Sequence, residues 1–237
     1  MFDRTISALT VLREVRIFQQ PAGPTSAFSA VQVTTGGNLP GIKEHALAPL
    51  PGGGALLFGG AAPFGPFALT YELQGTSWNK QLSTVNPLTR SGHAIVLDEA
   101  RGENVLFGGA DPLGGVRNDT WTYQAGQWSY LTPASSPPPR TKHAMAYDPS
   151  TNTSLLFGGE DSGGSSMGDM WQWNGVTWQQ LSPSSLPPAR YGHGMAWDGY
   201  RGRLVLFGGS DGAARLDDIW EWDGANWTQV APAQPAG

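Results

Sequence analysis

Cysteine is absent from this chain of 237 residues, which excludes disulfides, thiolate metal sites and cysteine nucleophiles. Lysine is almost absent, at Lys43, Lys80 and Lys142 alone, and the formal net charge is −5. A nucleic-acid binder would carry a basic stripe, and none is visible, so no nucleic-acid partner is expected. No apolar run approaches the ~20 residues that a membrane-spanning helix needs, and no membrane association is expected. A secretory signal is not legible either, because Arg13, Glu14 and Arg16 interrupt the candidate apolar stretch near the N-terminus. The expectation is a soluble chain whose compartment is left open, export included if the N-terminus is truncated. Glycine, proline and tryptophan, in contrast, are plentiful at 33, 19 and 10 residues. That composition suits short strands, many turns and an aromatic core, and the length suits one all-β domain.

The sequence Leu-Phe-Gly-Gly occurs four times, ending at Gly60, Gly109, Gly159 and Gly209, at intervals of 49, 50 and 50 residues. A period of that length indicates stacked copies of one supersecondary unit, none of which buries its apolar face alone. Other residues keep the register. Arg90, Arg140 and Arg190 each stand three residues before a histidine (His93, His143, His193), and His45 holds the same place in the first copy. Trp78, Trp128, Trp178 and Trp227 recur about fifty residues apart.

Within the fourth unit, His193-Gly-Met-Ala-Trp197 alternates large and small residues, which is a strand period. Asp198 to Gly202 reads as a hairpin turn. Leu204 to Phe207 is a continuous apolar run, as expected of a strand covered on both faces. Ile219 to Trp222 alternates again, Asp223-Gly224 signals a tight turn, and Trp227 to Val230 closes the unit. Each repeat is therefore expected to form four antiparallel strands with no helix, the pattern of a β-propeller blade.

Arg-x-x-His before the first strand, Leu-Phe-Gly-Gly ending the second and Asp-x-Trp at the third (Asp119 to Trp121, Asp169 to Trp171, Asp218 to Trp220) resemble Kelch repeats. In the Trp-rich variant Trp173 to Trp178, the chain is similar to bacterial Kelch proteins related to the central domain of galactose oxidase. The resemblance covers about residues 40 to 237. It implies an all-β Kelch propeller with blades at approximately 40–87, 88–137, 138–187 and 188–237. Residues 1–39 read as a degenerate half blade, with strands near Glu14 to Phe18 and Phe28 to Val33. Kelch rings typically hold more blades, so an incomplete ring, or a part of a larger one, is expected.

One histidine per blade at a fixed position reads as a packing and hydrogen-bonding element rather than as a set of metal ligands, and no metal is expected. The repeated tryptophans read as core. Phe64, Phe67 and Tyr191, which do not repeat, are better placed to meet a ligand. The candidate binding residues are Arg90, Arg140 and Arg190 with Asp111, Asp161 and Asp211, joined by Tyr191. Strand direction alternates within a blade, so these arginines and aspartates are expected on one face at the mouth of the channel. Two accounts stay open: ion pairs between blades that position loops, or a polar funnel for an anionic ligand. Asp98, Asp148 and Asp198 are expected at the opposite end as turn residues.

No catalytic residues stand out. Galactose oxidase-like chemistry needs a copper held by tyrosines and histidines, with one tyrosine cross-linked to a cysteine. That part of the resemblance fails here, and no cofactor is expected. The leading expectation is a non-enzymatic propeller that binds a protein or peptide, an anionic one included, at the channel mouth. The alternative is a carbohydrate-binding or carbohydrate-modifying propeller.

Overall fold

The computed structural model describes residues 14–19, 29–34, 42–62, 65–66 and 68–230. Strands β1 (Glu14–Gln19) and β2 (Ser29–Thr34) pair antiparallel as a hairpin. Four sheets of four antiparallel strands follow. Blade 1 holds β3 (Ala46–Pro49) and β4 (Ala55–Phe58), then, after a two-residue ribbon of β5 (Ala61–Ala62) and β6 (Gly65–Pro66), β7 (Thr70–Gln74) and β8 (Ser77–Gln81). Blade 2 holds β9 (Ala94–Asp98), β10 (Glu103–Phe107), β11 (Thr120–Gln124) and β12 (Gln127–Leu131). Blade 3 holds β13 (Ala144–Asp148), β14 (Thr153–Phe157), β15 (Met170–Trp173) and β16 (Trp178–Leu181). Blade 4 holds β17 (Gly194–Asp198), β18 (Arg203–Phe207), β19 (Ile219–Trp222) and β20 (Trp227–Val230). The molecule is a four-bladed propeller, and no helix occurs among the described residues.

The inner strands β3, β9, β13 and β17 lie side by side in that order. Between blades, the core is built from one motif used three times. Phe58 meets the edge of His93 and of Trp128 in the next blade, at ring-centroid distances of 5.4 and 5.0 Å. Phe107 does the same with His143 and Trp178, and Phe157 packs on His193 and Trp227. Quadrupolar rings favour these edge-on approaches over flat stacking. The indole N–H groups of Trp128 and Trp178 donate to Thr70 and Thr120 Oγ1 of the preceding blade, each at 2.9 Å. The repeated tryptophans and histidines are thus the faces on which blades are joined.

The paired glycines follow from this packing. A Cβ on Gly109, the second of its pair, would stand 2.8 Å from the His93 Cβ within its own blade. A Cβ on Gly108, the first, would stand 2.7 Å from the Arg140 carbonyl oxygen of the next blade. Both also have positive φ, at 64° for Gly108 and 98° for Gly109. A side chain at Gly108 would push against the next blade and one at Gly109 against its own inner strand, so the repeat favours glycine at both places.

Blade 4 shows what is missing on its outward face. Phe58, Phe107 and Phe157 are wholly buried, whereas Phe207 in the same position is 55% exposed. The backbone bonds that tie each blade to the next run from the N–H of Gly60, Gly109 and Gly159 to the carbonyls of Arg90, Arg140 and Arg190. Gly209 N–H has no such partner among the described residues. Among the described residues, the blade-to-blade interface therefore does not recur after blade 4.

Candidate functional site

The loop entering each inner strand and the loop leaving the second strand meet at one end of the blade. Isolated bridges join Ser91 to Ala110, Thr141 to Glu160 and Tyr191 to Ser210. Arg90, Arg140 and Arg190 thus lie beside the loops that carry Asp111, Asp161 and Asp211. Their side chains do not meet, however. The three arginines are fully buried and turn back into their own blades.

Arg140 donates through Nη1 and Nη2 to the two oxygens of Asp169, at 2.7 Å each. Its Nε–H donates to the Pro138 carbonyl at 3.1 Å, and Nη1 also reaches the Gly158 carbonyl at 2.9 Å. Arg90 repeats the set with Asp119, Leu88 and Gly108, and Arg190 with Asp218, Pro188 and Gly208. The same aspartates accept the indole N–H of Trp121, Trp171 and Trp220, at 2.8, 2.6 and 2.6 Å. This explains the Asp-x-Trp spacing. A planar guanidinium matches the fork of a carboxylate, and the tryptophan uses the lone pair left over. Burial pushes the Asp169 and Asp119 carboxyls up, yet hydrogen bonds from the arginines outweigh it and hold both below the ordinary range. Asp218, bonded first by Arg190, falls to about 2. The ion pairs lie within single blades, tying the start of the first strand to the start of the third. The expected pairing of these arginines across blades, or with the loop aspartates, is corrected on this point.

Asp111, Asp161 and Asp211 instead cap their own loops. Asp161 accepts from the N–H groups of Gly163 and Ser165 at 2.8 and 2.9 Å, and Asp211 from those of Ala213 and Ala214. Asp111 binds the N–H groups of Leu113 and Gly115 and also pairs with Arg117 at 3.2 Å. A side chain that satisfies two turn amides holds a short loop in one shape.

The histidines complete the buried layer below this end. His93 Nε2 lies 3.1 Å from the Phe58 carbonyl oxygen of blade 1. Burial, reinforced by the neighbouring arginine, lowers His93 to about 3 and His193 to about 4, and His143 shifts the same way. All three are neutral at physiological pH.

A hydrogen-bonded chain runs across the blades at the rim. Gly92 N–H donates to the Glu44 carbonyl, Lys142 N–H to Gly92 and Gly192 N–H to Lys142. All four residues are left-handed, with φ of 57°, 64°, 56° and 66° in chain order. Two are glycines, but Glu44 and Lys142 carry side chains. The Lys142 ammonium pairs with Glu160 and lies 5.0 Å from the Tyr191 ring centroid, a cation–π contact that spans blades 3 and 4. The hydrogen bond that Lys142 donates to Glu160 raises its affinity for its proton, so it remains a cation. Lys142 was not singled out by the sequence reading. Its signal was a lone Lys in Arg-Thr-Lys-His, where blades 2 and 4 have Arg-x-Gly-His. Of the non-repeated aromatics, Tyr191 joins this rim, while Phe64 and Phe67 lie outside the described residues.

Four-stranded blades set side by side, each braced by an Arg–Asp–Trp cluster, define a repeat-built β-propeller. Residues 124–236, a little under half of the chain, match the model of the KLHDC2/KLHL20/DRC7 Kelch-repeats domain. No curated protein matches the chain.

Proposed function

We propose that this Kelch propeller is a non-enzymatic binding module that holds an anionic protein segment or peptide on the rim formed by its inner-strand loops. Kelch repeats are commonly used for protein binding, which supports the class. The exposed Asp211 and the half-buried Asp111, Asp161 and Tyr191 form the relief of that face, and Arg90, Arg140 and Arg190 stiffen it from below without touching the ligand.

The observation that carries this reading is Lys142. A left-handed residue other than glycine costs about 1 kcal/mol, and blades 2 and 4 avoid that cost with Gly92 and Gly192. Keeping a lysine there places a charge at the rim, 40% exposed, beside an aromatic ring and an acidic neighbour. Strain retained at a surface position is characteristic of binding sites. An incoming carboxylate takes the place of Glu160 on the ammonium while Tyr191 covers the other side.

Selection from a displayed peptide library, followed by affinity measurement on wild type, Lys142→Gly and Tyr191→Ala, tests this. Lys142→Gly relieves the backbone, so its stability stays within about 1 kcal/mol of wild type or rises. Its affinity for the selected peptides falls about tenfold, and the salt dependence of binding shrinks. Peptides that bind Lys142→Gly and wild type equally, or a library that yields no binder, would overturn the proposal.

A further inference from the structure

At the end of the propeller opposite the rim, the turn after the inner strand of blades 2, 3 and 4 carries an aspartate: Asp98, Asp148 and Asp198. Two of the three hold an arginine three residues later. Arg101 Nη1 donates to Asp98 Oδ2 at 2.7 Å, and Arg201 Nε to Asp198 Oδ2 at 2.7 Å. In blade 3 the residue at that place is Thr151, whose hydroxyl bonds Thr153 at 2.8 Å instead.

Arg101 does more than neutralise its own turn. Its guanidinium crosses from blade 2 to blade 3, where it also donates to the Asn152 carbonyl at 3.3 Å and to the Asn174 carbonyl. It lies so close over Gly175 that a Cβ there would collide with it. Between blades 3 and 4 the corresponding space is a cavity of about 210 Å³. Asp148, Thr151, Gln172, Trp222, Gly224 and Ala225 contribute to its wall. Asp148 is only 1% exposed. One of its oxygens accepts from the Ser150 N–H and hydroxyl, at 2.8 and 2.6 Å, and the other has no partner among the described residues.

We infer that this cavity is a guanidinium site, filled from outside the chain by an arginine side chain in the way that Arg101 fills its counterpart from within. Asp148 supplies the charge. The carbonyls of Gly202 and Asp223, which hold the repeat positions of Asn152 and Asn174, supply the flanking acceptors. A guanidinium has donors on several sides of one plane and satisfies a carboxylate and two carbonyls together, which a compact ammonium does not. Trp222 and Gly224 form the wall against which the guanidinium lies.

The test uses the whole chain, with methylguanidinium as the probe and amide NMR as the readout. Saturable shifts at Trp222, Gly224 and Ala225 are expected at probe concentrations well below denaturing ones, with methylammonium about tenfold weaker. Thr151→Arg places a guanidinium in the cavity permanently. It should abolish the probe shifts and raise the melting temperature, whereas Thr151→Gln, which brings no charge, should do neither. Asp148→Asn should weaken the probe by about tenfold, and because that variant also alters a turn, Thr151→Arg carries the decision. An arginine blocked at both ends separates the two sources. Binding as tight as methylguanidinium points to a side chain of a partner protein, and exclusion of the blocked form points to a small guanidinium compound and overturns the partner assignment. No saturable shift in wild type, equal response to methylammonium, or unchanged binding in Thr151→Arg would overturn the site itself.

Discussion

Replacing Arg140 by alanine removes the donor of a fully buried guanidinium and leaves three acceptors behind: the Asp169 carboxylate and the carbonyls of Pro138 and Gly158. Breaking a buried ion pair by deleting one partner costs about 3–5 kcal/mol, because the surviving charge has lost its compensation. Asp169 keeps the Trp171 indole N–H and a side chain that is 20% exposed, so water recovers part of the loss. The expected cost is therefore at the lower end, about 3 kcal/mol. Against a typical domain stability of about 5–15 kcal/mol, one such change is tolerable, but removing Arg140 and Arg190 together approaches the whole. Arg140→Lys keeps the charge but loses the forked contact, and an intermediate loss follows. Urea denaturation followed by tryptophan fluorescence measures all of these. Asp161→Ala is the control, since that aspartate only caps its own exposed loop, and a loss under about 0.5 kcal/mol is expected of it. If Arg140→Ala cost less than about 1 kcal/mol, or no more than Asp161→Ala, the within-blade brace would not be what holds this end of the propeller.

Two further outcomes follow from the packing. Phe157→Ala should cost about 3–5 kcal/mol, because its ring is enclosed by His193 and Trp227, whereas Phe207→Ala should cost less than about 1 kcal/mol on its uncovered face. Equal losses would show that a further element covers blade 4. Acid stability should report the buried histidines. Their folded-state pKa values lie below the ordinary 6.5, so stability is intact above pH 6.5 and is lost as pH falls toward about 4. At pH 5 His93 and His193 each contribute a loss of about 2 kcal/mol, and a melting temperature that stayed flat from pH 7 to 5 would contradict this.

The architecture was legible in the sequence because a propeller repeats its interface. The packing of Phe107 against His143 and Trp178 recurs at a fixed period, and a period survives in one dimension. The Leu-Phe-Gly-Gly, Arg-x-x-His and Asp-x-Trp motifs each mark a strand end, so strand number, order and shared loop faces follow from spacing alone. Which groups meet was not legible. Arg140 stands near Asp161 in the topology, yet it bonds Asp169, because the guanidinium is directed inward beneath the loop and only the third strand offers a carboxylate at that depth. The exposure of Phe207 was likewise decided in three dimensions, since its sequence neighbourhood matches that of the buried phenylalanines. Lys142 and Thr151 are single departures from a repeated position, readable as differences but silent about consequence. Only the folded blades show that one holds a charge at the rim against backbone strain, and that the other leaves a carboxylate facing an empty cavity. Periodic contacts are encoded in spacing. Direction, depth and vacancy depend on how the sheets are inclined to one another.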